Sequence, residues 1–204
     1  MCTDDHRTPP PCVHRSRRCR RSLRSPAHPA RPGTVRKGTI VELSRSHTYP
    51  ASVDAVIAVL SDADAVTRRY EGMGHRDIEI RECGRDDDSA RIVTSRVVDV
   101  ELPGFARKVL SPTNTMVQTD EWRRDGDGWT GEFRVEVAGA PVEMSGTMSL
   151  EPDGSGTVHT VTTSMKVKVP LVGGKIADWA GKNDIPRTLQ AEFDANDDWL
   201  SSHG

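Results

Sequence analysis

Residues 114–169 read NTMVQTDEWRRDGDGWTGEFRVEVAGAPVEMSGTMSLEPDGSGTVHTVTTSMKVKV, and this stretch decides the fold. Glycine-bearing turn signals divide it into four alternating runs, 114–124, 128–138, 141–151 and 156–169. A hairpin's turn fixes its register, and the register fixes which side chains meet. A two-residue turn at Asp125-Gly126 predicts Trp122 opposite Trp129, Asp120 opposite Gly131, Gln118 opposite Phe133 and Met116 opposite Val135. A turn at Gly139-Ala140 predicts Val137 opposite Val142, Val135 opposite Met144, Phe133 opposite Gly146 and Gly131 opposite Met148. A turn at Asp153-Gly154 predicts Leu150 opposite Thr157, Met148 opposite His159, Gly146 opposite Val161 and Met144 opposite Thr163. All three turns agree on one apolar face. The other face carries Thr130, Glu132, Arg134, Glu136, Glu143, Ser145, Thr147, Ser149, Thr160, Thr162, Ser164, Lys166 and Lys168, a surface for water. An antiparallel sheet with one apolar face needs a cover on that face.

Outward from this stretch, runs 75–83 and 89–102 add two strands, and 40–49 reads as a first strand ended by Pro50. Ser52 is a helix N-cap with Asp54 in the first turn, followed by Val53, Val56, Ile57 and Leu60 at helical spacing. A second short helix spans 62–71, with Val66 and Tyr70 one turn apart and Gly72 to stop it. The cover is C-terminal. Ile176, Trp179, Ala180, Asn183, Leu189, Phe193 and Leu200 fall near one stripe of a long helix over 172–201. Pro186 removes a backbone donor from it, which predicts a kink or break at 183–185.

The chain has 204 residues and a formal net charge of −2, but that near-neutrality hides two unlike segments. Residues 1–38 hold nine Arg and one Lys against Asp4 and Asp5, with six of the 13 Pro; residues 39–204 carry 18 basic and 28 acidic side chains. Only Val13, Leu23 and Val35 are aliphatics larger than Ala in the leader, too little apolar surface to offset ordering entropy, so 1–38 is expected to be disordered. An alternative is that it reflects a mis-assigned upstream start. Cys2, Cys12 and Cys19 lack paired zinc-knuckle spacing, and no apolar run follows Arg20-Arg21 as a twin-arginine export signal requires. The Arg-dense segment offers generic attraction to phosphates, without aromatic residues to stack on bases, so no specific nucleic-acid partner is expected. No run of 18 apolar residues exists, which excludes a spanning helix, and a cytoplasmic protein without membrane insertion is expected. Residues 39–204 suit one domain with one core.

Residues Tyr49-Pro-Ala-Ser-Val-Asp-Ala-Val56, continuing through Val-Leu-Ser-Asp62, resemble the entry into the first helix of the SRPBCC superfamily, which includes START domains, Bet v 1-like proteins and polyketide cyclases. Val169-Pro-Leu-Val-Gly-Gly-Lys-Ile-Ala-Asp178 onward is similar to an uncharacterised actinobacterial family within it, the domain of unknown function 2505, and the likeness covers essentially all of 39–204. The resemblance implies an α+β helix-grip (START-like) fold. In it a curved antiparallel sheet of about seven strands grips a long C-terminal helix on its concave face around an apolar cavity, and two short helices follow the first strand. Ile57 departs from the aromatic residue common at its position in the superfamily, so details of the pocket mouth do not carry over. The resemblance implies no known reaction.

Several residues on the inward face bear on function. Gly131 and Gly146 sit inside strands, where glycine is often kept because something approaches closely. Either they leave room for a ligand, or Trp179, Phe193 or, at Gly146, Phe133 fills the space. Gln118, Asp120, His159 and Thr163 are polar on that face, and a buried carboxylate needs a partner. Arg96 interrupts the apolar face of Ile92, Thr94, Val98, Val100 and Leu102. Pointing inward it would neutralise Asp120 or anchor a carboxylate or phosphate; pointing outward it is an ordinary surface charge. His159 with Asp120 is the weak candidate acid–base pair, against a plainer role as a polar tip bonded to Thr or water. Cys83 has no base in view and reads as a half-buried strand residue. No phosphate-loop, dinucleotide or zinc-protease spacing occurs, so no metal or cofactor is expected.

The expected occupant is an apolar small molecule, lipid-like or polyketide-like, against Met116, Trp122, Phe133, Met144, Met148, Trp179, Asn183 and Phe193 with the polar residues just named. Two alternatives compete. One is a cyclase- or hydratase-type enzyme in the same cavity. The other is a protein-interaction module without a ligand, as some superfamily members act on chaperones; a cavity of at least ~300 Å³ counts against it.

Overall fold

A computed structural model describes residues 39–203, and the expectations for 1–38 lie outside the described residues. The elements follow the predicted order. Strand β1 (Thr39–Tyr49) leads into helices α1 (Val53–Leu60) and α2 (Ala63–Gly72). Strands β2 (Arg76–Arg85), β3 (Ser89–Asp99), β4 (Thr113–Asp125), β5 (Gly128–Val137), β6 (Val142–Asp153) and β7 (Gly156–Val167) follow, then α3 (Gly173–Trp179) and α4 (Ile185–His203). The seven strands form one antiparallel sheet in the order β1-β7-β6-β5-β4-β3-β2, so the only neighbours distant in sequence are β1 and β7.

Local chemistry sets the helix starts. Ser52 Oγ accepts the Ala55 N–H at 3.3 Å to cap α1, and Asp62 Oδ1 accepts the Ala65 N–H at 2.8 Å to cap α2. The stop of α2 lies two residues beyond the expected Gly72: Gly72 is still helical, and Gly74 takes the positive φ of 80° that ends the run.

Two of the three predicted registers need correction. The β5–β6 pairing is as predicted, with Val135 opposite Met144, Phe133 opposite Gly146 and Gly131 opposite Met148. Between β4 and β5, however, Asp125 pairs with Gly128, so Trp122 faces Gly131, Asp120 faces Phe133, Gln118 faces Val135 and Met116 faces Val137. Between β6 and β7, Asp153 pairs with Gly156, so Leu150 faces His159, Met148 faces Val161, Gly146 faces Thr163 and Met144 faces Met165. The cause is the turn type. Gly126 (φ 59°) and Gly154 (φ 60°) occupy the first of two central positions, as in a type II′ turn, whereas the predicted Asp-Gly turns put glycine second. Moving a turn by one residue changes the pairing by two, so every side chain keeps its face.

The inner face is covered as expected. Trp122, Phe133, Val135, Leu150, Val161 and Met165 from the sheet join Ile57 and Leu60 from α1 and Ile176, Leu189 and Phe193 from the C-terminal helices in one buried cluster. A second cluster of Val66, Tyr70 and Ile92 closes the β2–β3 end. The irregularity expected before Pro186 is present, as a π turn in a continuous helix rather than a break. Residues Ala180–Asp184 form a π-helical turn, closed by the Ile185 N–H bonding to the Ala180 carbonyl, and the helix runs through it into α4. One extra residue per turn absorbs the misfit that a proline creates.

Candidate functional site

Between the sheet and the C-terminal helices lies a cavity of about 320 Å³. Its sheet wall is built by Met116, Trp122, Phe133, Met144 and Met148, and its helical wall includes Trp179, Ile185, Leu189 and Phe193. Val98, Val100, Leu102 and Leu110, from the end of β3 and the connection to β4, line it further. With Met165 on β7, four thioethers on the sheet wall make a deformable apolar surface.

Three expected lining residues do not line it. A Cβ on Gly131 would stand 2.8 Å from the Trp122 indole, and one on Gly146 would stand 2.4 Å from the Phe133 ring and 2.0 Å from the Thr162 carbonyl oxygen. The space over both glycines is therefore taken by aromatic rings of the neighbouring strand, not left for a ligand. For Gly146 this is the Phe133 alternative. Asn183 is exposed, with Nδ2 donating to the Trp179 carbonyl at 2.9 Å. The π turn explains the miss: its added residue rotates the helix beyond Ala180, so Asp184 and Ile185 reach the cavity in Asn183's stead.

The polar residues gather into a connected group at the α2–β3–β4 side. Arg96 points inward and is 4 % exposed. Its Nη1 donates to Thr94 Oγ1 at 3.0 Å and its Nη2 to Gln118 Oε1 at 2.6 Å. The guanidinium lies 3.8 Å from the centre of the Tyr70 ring, and the Tyr70 hydroxyl donates to the same Gln118 oxygen at 3.4 Å. Gln118 Nε2 in turn donates to both Asp120 oxygens, at 2.9 and 3.2 Å. Arg96 thus reaches Asp120 only through an amide. Burial pushes the Asp120 carboxyl up to about 6, against the pull of the Gln118 hydrogen bond and the Arg69 charge.

Arg69 and Asn196 are polar lining residues that sequence reading missed. Arg69 is 6 % exposed and donates from Nη1 to Asn196 Oδ1 at 3.2 Å; Asn196 Nδ2 donates to the Tyr49 hydroxyl at 3.1 Å. The signals were present: Arg69 lies three positions after Val66 on α2, and Asn196 three after Phe193 on α4, each on a face otherwise apolar.

His159 stands apart from this group. It packs among Trp122, Phe193 and Tyr49, with ring centroids 5.8, 5.5 and 6.1 Å away. Neither ring nitrogen has a hydrogen-bond partner, so the expected bond to a threonine is absent. Burial, aided by the Arg69 charge and His47, lowers its pKa to about 3 and holds it neutral. The corrected registers also place His159 and Asp120 in different rows of the sheet. In the predicted registers Asp120, Gly131, Met148 and His159 shared one row; in the structure the row of Asp120 ends at Thr163 and that of His159 runs through Leu150 and Trp129. The rows lie four residues apart, about 13 Å at ~3.3 Å per residue.

Cys83, expected to be half-buried, is exposed on β2, with its thiol directed to the Ser61 carbonyl at 3.2 Å. Among the described residues no three His, Cys, Asp or Glu side chains converge as metal ligands, and no helix is long and apolar enough to cross a membrane.

A family model described as "Protein of unknown function (DUF2505)" matches residues 44–200. No curated protein matches the chain. Among solved structures, the protein TTHA0849 from Thermus thermophilus superposes with a TM-score of 0.56 at 15 % identity, covering 80 % of this chain and 100 % of its own. The Zhui aromatase/cyclase from Streptomyces sp. R1128 gives 0.55 at 20 % identity over 80 % and 94 %. Norcoclaurine synthase from Thalictrum flavum gives 0.54 at 14 % over 89 % and 99 %. Likeness at this level is likeness of fold.

Proposed function

The chain belongs to the DUF2505 family, and from that membership together with the lined cavity we propose that it binds or carries an apolar small molecule, lipid-like or polyketide-like, between the sheet and the C-terminal helix. The supporting observation is the cavity itself. About 320 Å³ lies within the range of small-molecule sites, and its walls are mainly thioether, aromatic and aliphatic with a few convergent polar groups. A module that only contacted a protein partner would have no use for such a hollow. The reading needs no cofactor.

The cyclase or hydratase reading is the weaker one. It needs an acid and a base in reach of one reacting group, and His159 and Asp120 sit in separate rows. A histidine held to about 3 is also a poor base at neutral pH. The cytoplasm is the proposed compartment, because Cys83, the one cysteine among the described residues, is a free exposed thiol, which suits a reducing interior.

Native mass spectrometry of protein purified from its own source tests the reading. The expected result is a bound mass of a few hundred daltons that organic extraction removes. A population that carries no such mass and takes up none from a lipid extract would overturn it.

A further inference from the structure

We propose that the ligand is an amphiphile with an anionic head, a carboxylate or phosphate, received by Arg69 and Arg96 at the α2–β3–β4 side of the cavity while its apolar body lies along the methionine wall. This rests on the ligand-binding reading above and adds the chemical class of the ligand.

Both guanidiniums line the cavity and are more than nine-tenths buried, at 6 % and 4 % exposure. A buried charge is expensive unless paired, and arginines in protein interiors usually meet a carboxylate directly. Neither does here: among the described residues no carboxylate oxygen lies within 4.0 Å of Arg69 or Arg96. Their protein partners are neutral, Asn196 for Arg69 and Thr94 with Gln118 for Arg96. The Nε of each is buried without a partner. Asn196 is the hydrogen-bond partner of Arg69 through Nη1.

Two carboxylates act on Arg69 from a distance, Glu192 and Asp120, and neither stands within 4.0 Å of either arginine. Gln118 accepts from Arg96 and Tyr70 on its oxygen and donates to Asp120 from its nitrogen, the one amide orientation that satisfies all three. A residue that only neutralised Arg96 would be served better by a carboxylate at position 118. Tyr70 holds the two cations in place, with guanidinium carbons 4.9 and 3.8 Å from its ring centre. Planar forks with unused N–H groups at the end of an apolar hollow suit an oxyanion, which binds them by charge-assisted hydrogen bonds.

The test is calorimetric titration of the full chain at pH 7 with decanoate and with decan-1-ol, which share an apolar body and differ in head. The expected result is that both bind and that decanoate binds at least tenfold tighter. Arg96→Met and Arg69→Met should each reduce the ratio of decanoate to decanol affinity several-fold. Equal binding of the two probes by the wild-type chain overturns the anionic head while leaving apolar binding intact. So does an equal loss of both probes in folded variants. Binding of neither probe overturns both readings. The wild-type comparison stands by itself if a variant fails to fold.

Discussion

His159 is held in an uncharged form by a box of aromatic rings, and this couples the fold to pH. Its pKa falls from 6.5 to about 3 on burial, so its contribution to stability is fully present above pH 6.5 and is lost as pH falls toward 3. His75, lowered to about 4 chiefly by burial, acts with the same sign. Asp120, raised from 3.8 to about 6, acts with the opposite sign, its contribution lost as pH rises through 6. Two histidines outweigh one carboxyl between pH 6.5 and 5, where His159 alone accounts for roughly 2 kcal/mol. Melting temperature is therefore expected to fall from pH 7 to pH 5, and His159→Phe, which suits the aromatic box, should flatten that fall. An unchanged pH slope in the variant would contradict the buried neutral ring. Gly146 gives a second test at this scale. An added methyl meets both the Thr162 carbonyl and the Phe133 ring, so Gly146→Ala should destabilise by about 1–3 kcal/mol in urea unfolding. A neutral result would mean that Phe133 does not cover it. That both inward glycines required an explanation was legible in the sequence. Which ring covered Gly131 was not, because Trp122 comes opposite it only in the corrected register.

At the scale of elements, face and partner were readable while register was not. Period-two alternation is insensitive to a two-residue slip, so Met116, Gln118, Asp120 and Trp122 were placed on the inner face correctly and against the wrong partners. The slip bears on the chemistry, since two registers each displaced by two residues put Asp120 and His159 in different rows of the sheet. The turns can be probed directly. Gly126 and Gly154 hold positive φ, so Gly126→Ala and Gly154→Ala should each destabilise by about 1–2 kcal/mol, whereas Asp125→Ala and Asp153→Ala should cost much less. The reverse ranking would restore turns at Asp125-Gly126 and Asp153-Gly154. The helix shows the same limit of pattern reading. Pro186 marked an irregularity at the right place, but a stripe drawn at 3.6 residues per turn cannot anticipate a π turn, so Asn183 was assigned to a face that Asp184 and Ile185 occupy.

For the whole molecule, a sheet with one apolar face and a helix able to cover it followed from alternation and stripe alone. The hollow between them did not, because it depends on how far the helix stands off the sheet. Arg69 and Arg96 show why the polar side of the site was only half visible. A charged residue inside an apolar pattern is equally consistent with an outward strand position, and only the packing of α2 against β3 brings both guanidiniums onto Tyr70. The central claim is that this hollow admits an apolar guest, and titration with the neutral fluorophore 1-aminoanthracene tests it most directly. The account predicts saturable binding at one site per chain, a blue-shifted emission, and displacement by decanoate. Emission that rises without saturating, or that decanoate leaves unchanged, would contradict it.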